Sequence, residues 1–236
     1  MPGSDVVRIK AVSLGVLLLL VWAAAAGCGS RDESRTTGPA PAAAPVGARA
    51  SARPKIVVLG DSLTAGLGLE AAFAYPALLQ ARLDAEGFKY DVVNAGVSGD
   101  TSAGGLSRLD WALEGDVRVL IVALGGNDGL RALPADELKQ NVAKIIERAQ
   151  ARRITVVLAG MEAPPNFGRD YVVSFHRVYP ELAARYHVAL VPFLLDGVAG
   201  SETLNQRDGI HPTAEGAKIV ADNVWAVLKP IVAARP

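Results

Sequence analysis

The chain has 236 residues, 50% of them hydrophobic and 20% charged, enough to bury a full core in one domain with short appendages. Its 24 Lys and Arg residues balance 24 Asp and Glu, and no basic run stands out, which removes the electrostatic footprint of a nucleic-acid binder. A single cysteine excludes an internal disulfide.

At the N-terminus, Arg8 and Lys10 precede an uncharged, mostly apolar run from Ala11 to Gly27 that ends in small residues before Cys28. Positive flank, apolar run and small residues are the order of an export signal. A spanning helix needs about 20 apolar residues, and the alanine-rich end of this run is weakly hydrophobic. Ala25-Ala26-Gly27-Cys28 resembles the lipobox of bacterial lipoproteins, which implies cleavage before Cys28 and acylation of its thiol. Ala25 stands where leucine is more usual, so ordinary cleavage after Ala24-Ala25-Ala26 to a soluble product is the alternative. Residues 29–54 carry Pro39, Pro41, Pro45 and Pro54 among Ala, Ser, Thr and Arg without periodicity, and read as a tether. The expected organisation is a signal peptide over 1–27, an anchor cysteine and linker over 28–54, and a folded domain over 55–236. The product is expected to be exported and held on a membrane through Cys28, facing the periplasm or the cell exterior.

From Lys55 onward, apolar runs of strand length alternate with helical patterns. Strands are expected at Lys55–Leu59, Tyr90–Asn94, Arg118–Leu124, Ile154–Ala159 and Val188–Pro192. Helices are expected near Ala72–Glu86, Ser102–Leu113, Ala135–Arg152, Tyr171–Tyr186 and Thr213–Leu228. This alternation predicts an α/β fold, a three-layer α/β/α sandwich on a five-stranded parallel sheet. No insertion between strands is long enough to form a lid, so the site is expected to be open.

In such a sheet, ligands bind beyond the C-terminal strand ends, and Gly60-Asp61-Ser62 leaves the first strand there. A serine hydroxyl becomes a useful nucleophile only beside a base, and the base needs a third group to fix its tautomer. Asp208-Gly209-Ile210-His211-Pro212 offers both: His211 as base and Asp208 as the orienting carboxylate. With Gly96-Val97-Ser98-Gly99-Asp100-Thr101 and Gly125-Gly126-Asn127-Asp128 between them, these blocks make the chain resemble the GDSL or SGNH family of serine esterases. The blocks fall in the family's order over about residues 55–228. Ser62-Leu63-Thr64-Ala65-Gly66 and Gly126-Asn127-Asp128-Gly129-Leu130-Arg131 resemble the bacterial subgroup of multifunctional acyl-CoA thioesterases, arylesterases and lysophospholipases.

The resemblance implies a flavodoxin-like strand order 2-1-3-4-5 and an acyl-enzyme on Ser62. Three donors after three different strands suit an oxyanion hole: the amides of Ser62 and Gly99 and the side-chain amide of Asn127. Their positions in the family's blocks support that role for Gly99 and Asn127, which by themselves could be turn residues. Asp61, Asp100 and Asp128 each adjoin a motif residue and read as turn or helix caps. His176 and His187 lack neighbours at ligand spacing, so no metal is expected, and the reading calls for no cofactor. Gly66-Leu67-Gly68 lacks the third glycine of a dinucleotide-binding turn. For substrate, the apolar loops 129–134 and 161–168 should rim the crevice, with Leu130, Leu133, Pro165 and Phe167 against an acyl chain. Esters or thioesters with an acyl chain are therefore expected as small-molecule substrates, with a sugar O-acetylesterase or a non-catalytic lipoprotein of hydrolase-like fold as the alternatives.

Overall fold

A computed structural model describes residues 53–234; the expected signal segment, Cys28 and the linker as far as residue 52 lie outside the described residues. Five strands, β1 (Lys55–Gly60), β2 (Asp91–Gly96), β3 (Val117–Ala123), β4 (Thr155–Ala159) and β5 (Ala189–Val191), form one parallel sheet in the order β2-β1-β3-β4-β5. This is the expected order. The central strands read as continuous apolar runs because both their faces are covered: Ile56 to Leu59 and Val119 to Ala123 are fully buried. In register, Val57 pairs with Val93 on one side and with Leu120 on the other.

The outer strands carry weaker sequence signals. Only Ala95 of β2 is buried, so its alternation is weak and it runs two residues past the expected end, to Gly96. β5 has three residues, and so short an edge offers little for another chain to pair with.

The principal helices are α2 (Tyr75–Ala85), α6 (Ala135–Ala151), α7 (Arg169–Tyr186) and α8 (Ala214–Ala233), with short turns of helix α1 (Ser62–Ala65), α3 (Ser102–Ser107), α4 (Leu109–Ala112) and α5 (Gly126–Leu130). α2 packs with α8, whereas α6 packs with α3 and α7. These two groups cover opposite faces of the sheet, as right-handed crossovers require when the strand order reverses about its centre. α6 buries Leu138, Val142, Ile145, Ile146 and Ala149, a single stripe at helical spacing.

Three elements differ from expectation. The first helix is preceded by a 3₁₀ turn at Ala71–Phe73, and α2 starts only at Tyr75, with Pro76 in its first turn, where a missing N–H costs no helical bond. The helix expected over 102–113 breaks at Arg108, whose backbone has φ −105° and ψ 8°; its guanidinium is committed elsewhere, as described below. α8 runs on to Ala233 through Pro230. Among the described residues no helix is long and apolar enough to cross a membrane.

Candidate active site

β1 ends at Gly60, and Asp61 turns the chain into α1. The Asp61 side chain accepts the Leu63 N–H at 3.0 Å, capping the helix and leaving Ser62 as its first residue at the C-terminal edge of the sheet. Only glycine fits before this turn, since a Cβ on Gly60 would lie 2.0 Å from Thr64 Oγ1. The Thr64 hydroxyl lies 2.8 Å from that of Tyr75, both buried, so the turn that presents Ser62 is clamped from beneath.

The partners of Ser62 arrive on the loop between β5 and α8. Asp208 Oδ1 accepts the backbone N–H of Ile210 at 2.9 Å and of His211 at 3.0 Å, a turn that aspartate favours. Its Oδ2 lies 2.7 Å from His211 Nδ1, and His211 Nε2 lies 2.9 Å from Ser62 Oγ. The backbone N–H of His211, then that of Ile210, then the imidazole hold the Asp208 carboxyl down to about 2. An ionised Asp208 keeps the imidazole proton on Nδ1, which leaves Nε2 to accept from the serine hydroxyl. The sequence blocks placed 149 residues apart thus meet at hydrogen-bond distance.

Gln206 fixes this loop against the nucleophile turn, a role no local sequence pattern signalled. Its side-chain amide donates to the carbonyls of Leu67, at 2.7 Å, and Pro212, at 3.0 Å, while its backbone N–H donates to His211 O at 2.7 Å.

Asn127, in α5, donates through Nδ2 to Asp100 O at 2.9 Å and more weakly toward Asp61 Oδ2 at 3.4 Å. Gly99 sits at φ +86°, which glycine adopts without strain, and its carbonyl accepts from Arg131 Nη2 at 3.0 Å. The three acidic residues read as caps have broader duties. Asp128 is buried and accepts the Ser102 hydroxyl at 2.6 Å and the Ser102 N–H at 2.8 Å, tying the Asn127 turn to α3. Asp100 pairs with Arg108 Nε at 2.6 Å, and the same guanidinium donates to Gly60 O and Ala95 O, each at 2.8 Å. Arg108 therefore stitches the ends of β1 and β2 to the loop that carries Gly99. Nothing in the helical pattern around Arg108 pointed to this, because all three acceptors lie on other elements.

Burial pushes the Asp61 carboxyl up to about 6, against the opposing pull of the Leu63 N–H, of His211 and of Asn127. Of the remaining histidines, His176 Nδ1 lies 2.6 Å from Glu162 Oε1, and His187 ends α7 at φ 52°, its N–H bonded to Ala183 O.

A cleft of about 470 Å³ opens beside Ser62 and His211, within the range of about 300–1,000 Å³ common for small-molecule sites. Asn127, Leu130, Ala163, Pro165 and Ile210 are among its lining residues. Leu133 and Phe167 are not: the Leu133 carbonyl accepts from the Tyr171 hydroxyl at 2.8 Å, and the Phe167 ring packs edge-on against Tyr171 with centroids 5.9 Å apart. Gly99 also lies outside the lining, one residue before the carbonyl that holds Asn127.

Fold, nucleophile turn and distal histidine together define a hydrolase of the SGNH type, and residues 58–219 match the model of the GDSL-like lipase/acylhydrolase family. The chain belongs to that family and is a hydrolase acting on ester bonds of small molecules. It is 47% identical over 178 residues to esterase TesA of Pseudomonas aeruginosa, covering 75% of this chain and 89% of that one. It is 38% identical over 185 residues to thioesterase 1/protease 1/lysophospholipase L1 of Escherichia coli K12, covering 78% and 88%. The crystal structure of TesA superposes with a TM-score of 0.72 over 75% of this chain and 98% of that one, at 47% identity.

Proposed function

We propose that this chain is a serine esterase and thioesterase that takes the acyl group of its substrate into the cleft beside Ser62 and hydrolyses it through an acyl-enzyme. The single observation that carries this reading is the unbroken line from Ser62 Oγ through His211 to Asp208, with bonds of 2.9 and 2.7 Å. Ser62 Oγ attacks the carbonyl carbon as its proton passes to His211 Nε2. Asp208 holds the ring and balances the imidazolium. The amides of Ser62 and Gly99 and the side chain of Asn127 donate to the oxyanion. Collapse of the intermediate breaks the bond to the alcohol or thiol, which leaves with the proton from His211. A water, deprotonated by the same nitrogen, then attacks the acyl-enzyme and releases the acid. Leu130 and Pro165 act as walls for the acyl chain.

A series of p-nitrophenyl esters from acetyl to palmitoyl, run beside acyl-CoA and lysophospholipid, tests the substrate class. Each buried methylene is worth about 0.8 kcal/mol, so kcat/KM should climb by up to about fourfold per methylene until the cleft is full. A series that is best at acetyl and falls thereafter would favour an acetylesterase.

The Asn127 role has its own test. One Asn127 N–H is fixed by Asp100 O at 2.9 Å, and the second, held only by the longer 3.4 Å contact to Asp61 Oδ2, is the one that turns to the oxyanion. Asn127→Ala should lower kcat by about a hundred- to a thousandfold with little change in KM, because this bond strengthens only as charge develops. A raised KM with kcat intact would instead make Asn127 a ground-state binding group.

The proposal extends to export and attachment at Cys28, supported by the order of Arg8, Lys10, the apolar run and the lone cysteine. Two or three acyl chains at Cys28 would hold the enzyme firmly on a bilayer. Cys28→Ala should move the protein out of the membrane fraction without altering its hydrolysis of a soluble ester. An exported chain whose intact mass shows an unmodified Cys28, or a start elsewhere, contradicts the attachment.

A further inference from the structure

The acyl-transfer steps above make no use of Asp61, yet it is the most buried carboxylate bordering the cleft, at 1% exposure. Capping alone does not account for it. Asparagine, serine and threonine cap helices about as well as aspartate, and none of them brings a carboxylate out of water, which is costly unless the charge is well paired. Here no cation lies within hydrogen-bonding distance of the group among the described residues. Oδ1 takes the Leu63 N–H at 3.0 Å, and Oδ2 has only the longer contact from Asn127 Nδ2 at 3.4 Å.

The two oxygens thus face the two halves of the reaction centre. Oδ1 holds the first turn of α1, in which Ser62 is the leading residue, and Oδ2 faces the amide that we assign to the oxyanion. We propose that Asp61 is a positioning residue for acyl transfer, its two carboxylate oxygens holding the nucleophile turn and the Asn127 amide in one fixed relation. The inference rests on the reading of Asn127 as an oxyanion donor.

The length of the Asn127 contact is part of the device. A short bond would keep the amide hydrogen for the carboxylate, whereas a contact of 3.4 Å steadies the amide at rest and yields to an oxyanion, a stronger acceptor, as it forms. Asp100 O, at 2.9 Å, holds the other hydrogen throughout, so the amide pivots little. The arrangement carries a stability cost that a purely structural residue would not. Because burial raises the folded-state carboxyl from 3.8 to about 6, the folded protein holds this proton more tightly than the unfolded chain does, and stability is lost as pH rises from about 4 through 6, above which Asp61 is ionised.

Asp61→Asn separates these roles. Asparagine has one acceptor oxygen where aspartate has two; the shorter Leu63 bond retains that oxygen, and an NH2 group then faces the Asn127 NH2. We expect kcat to fall by about ten- to a hundredfold, the size of effect that a small misplacement of a catalytic group produces, with KM within about twofold. Tm at pH 8 should be equal to or higher than that of wild type, since a buried charge is removed.

The deciding measurement is the cycle with Asn127→Ala. If Asp61 acts through Asn127, adding D61N to N127A should change kcat by less than about twofold. A D61N kcat within about threefold of wild type, or losses from D61N and N127A that multiply, overturns the proposal whatever happens to Tm. Should D61N fold poorly, Asp61→Ser, which keeps a capping hydroxyl and lacks the second oxygen, takes its place in the same cycle. An N127A enzyme with undiminished kcat would instead strike at the oxyanion assignment, so the two failures can be told apart.

Discussion

Ser62→Ala and His211→Ala should each lower kcat by about a millionfold or to the background of the assay, and the double variant should lose hardly more. The expectation follows from the single hydrogen bond of 2.9 Å between Ser62 Oγ and His211 Nε2. Without the imidazole the hydroxyl keeps its proton, and without the hydroxyl the imidazole has nothing to activate in the first step. Each loss therefore removes the same pathway, which is why the losses should not multiply. What survives is binding in the cleft and donation to the oxyanion, so KM for a soluble ester should change little. Neither substitution removes a core contact, because both side chains are only partly buried, and circular dichroism and Tm should stay near wild type. Losses that multiplied in the double variant would mean that the two residues act in separate steps and would undo the proposed pairing.

The second large effect concerns Asp208. Asp208→Asn should cut kcat by up to about ten-thousandfold while the fold persists. The reason is the tautomer. The carboxylate Oδ2 accepts from His211 Nδ1 at 2.7 Å; if an amide NH2 takes its place, Nδ1 must become the acceptor and the proton moves to Nε2, where it blocks acceptance from Ser62. Asparagine can still accept the backbone N–H of Ile210 and His211 through one oxygen, so the turn is retained. The wild-type carboxyl is held near 2, so Asp208 stays charged across the whole range in which esterases are assayed. Its contribution to the stability of the turn is accordingly present above about pH 4, near its unfolded value of 3.8, and is lost only as pH falls through about 2. A D208N enzyme of near wild-type rate would show that some other group orients His211.

Much of this architecture could be read from the chain because its strongest signals are of the kind sequence preserves. β1 and β3 are covered on both faces, so Ile56 to Leu59 and Val119 to Ala123 are apolar without interruption, and the Gly-Asp-Ser and Gly-Gly-Asn turns that follow them mark the C-terminal edge. Asp208 and His211 share one turn, so their relation is local. The contacts that no local pattern marks join residues far apart by atoms whose direction only the fold sets. Arg108 reaches Gly60 O, Ala95 O and Asp100 from a stretch that looks like ordinary helix, and Gln206 reaches Leu67 O across 139 positions. The sequence marks Asp61 as a cap. That describes Oδ1 and leaves Oδ2 out, because its neighbour Asn127 is 66 residues away. Phe167 illustrates a different limit: an apolar ring in a loop can face substrate or pack on a neighbouring helix, and this one meets Tyr171 edge-on while staying 37% exposed.

The central claim is that Ser62 is a nucleophile activated by His211, as opposed to a turn serine in a fold that only binds. Treatment of the full-length protein with a fluorophosphonate, followed by peptide mass spectrometry, tests this most directly. One covalent adduct is expected, on Ser62, formed at neutral pH, absent from Ser62→Ala and strongly slowed in His211→Ala. A protein that stays unlabelled, or that carries its adduct on another residue, would contradict it.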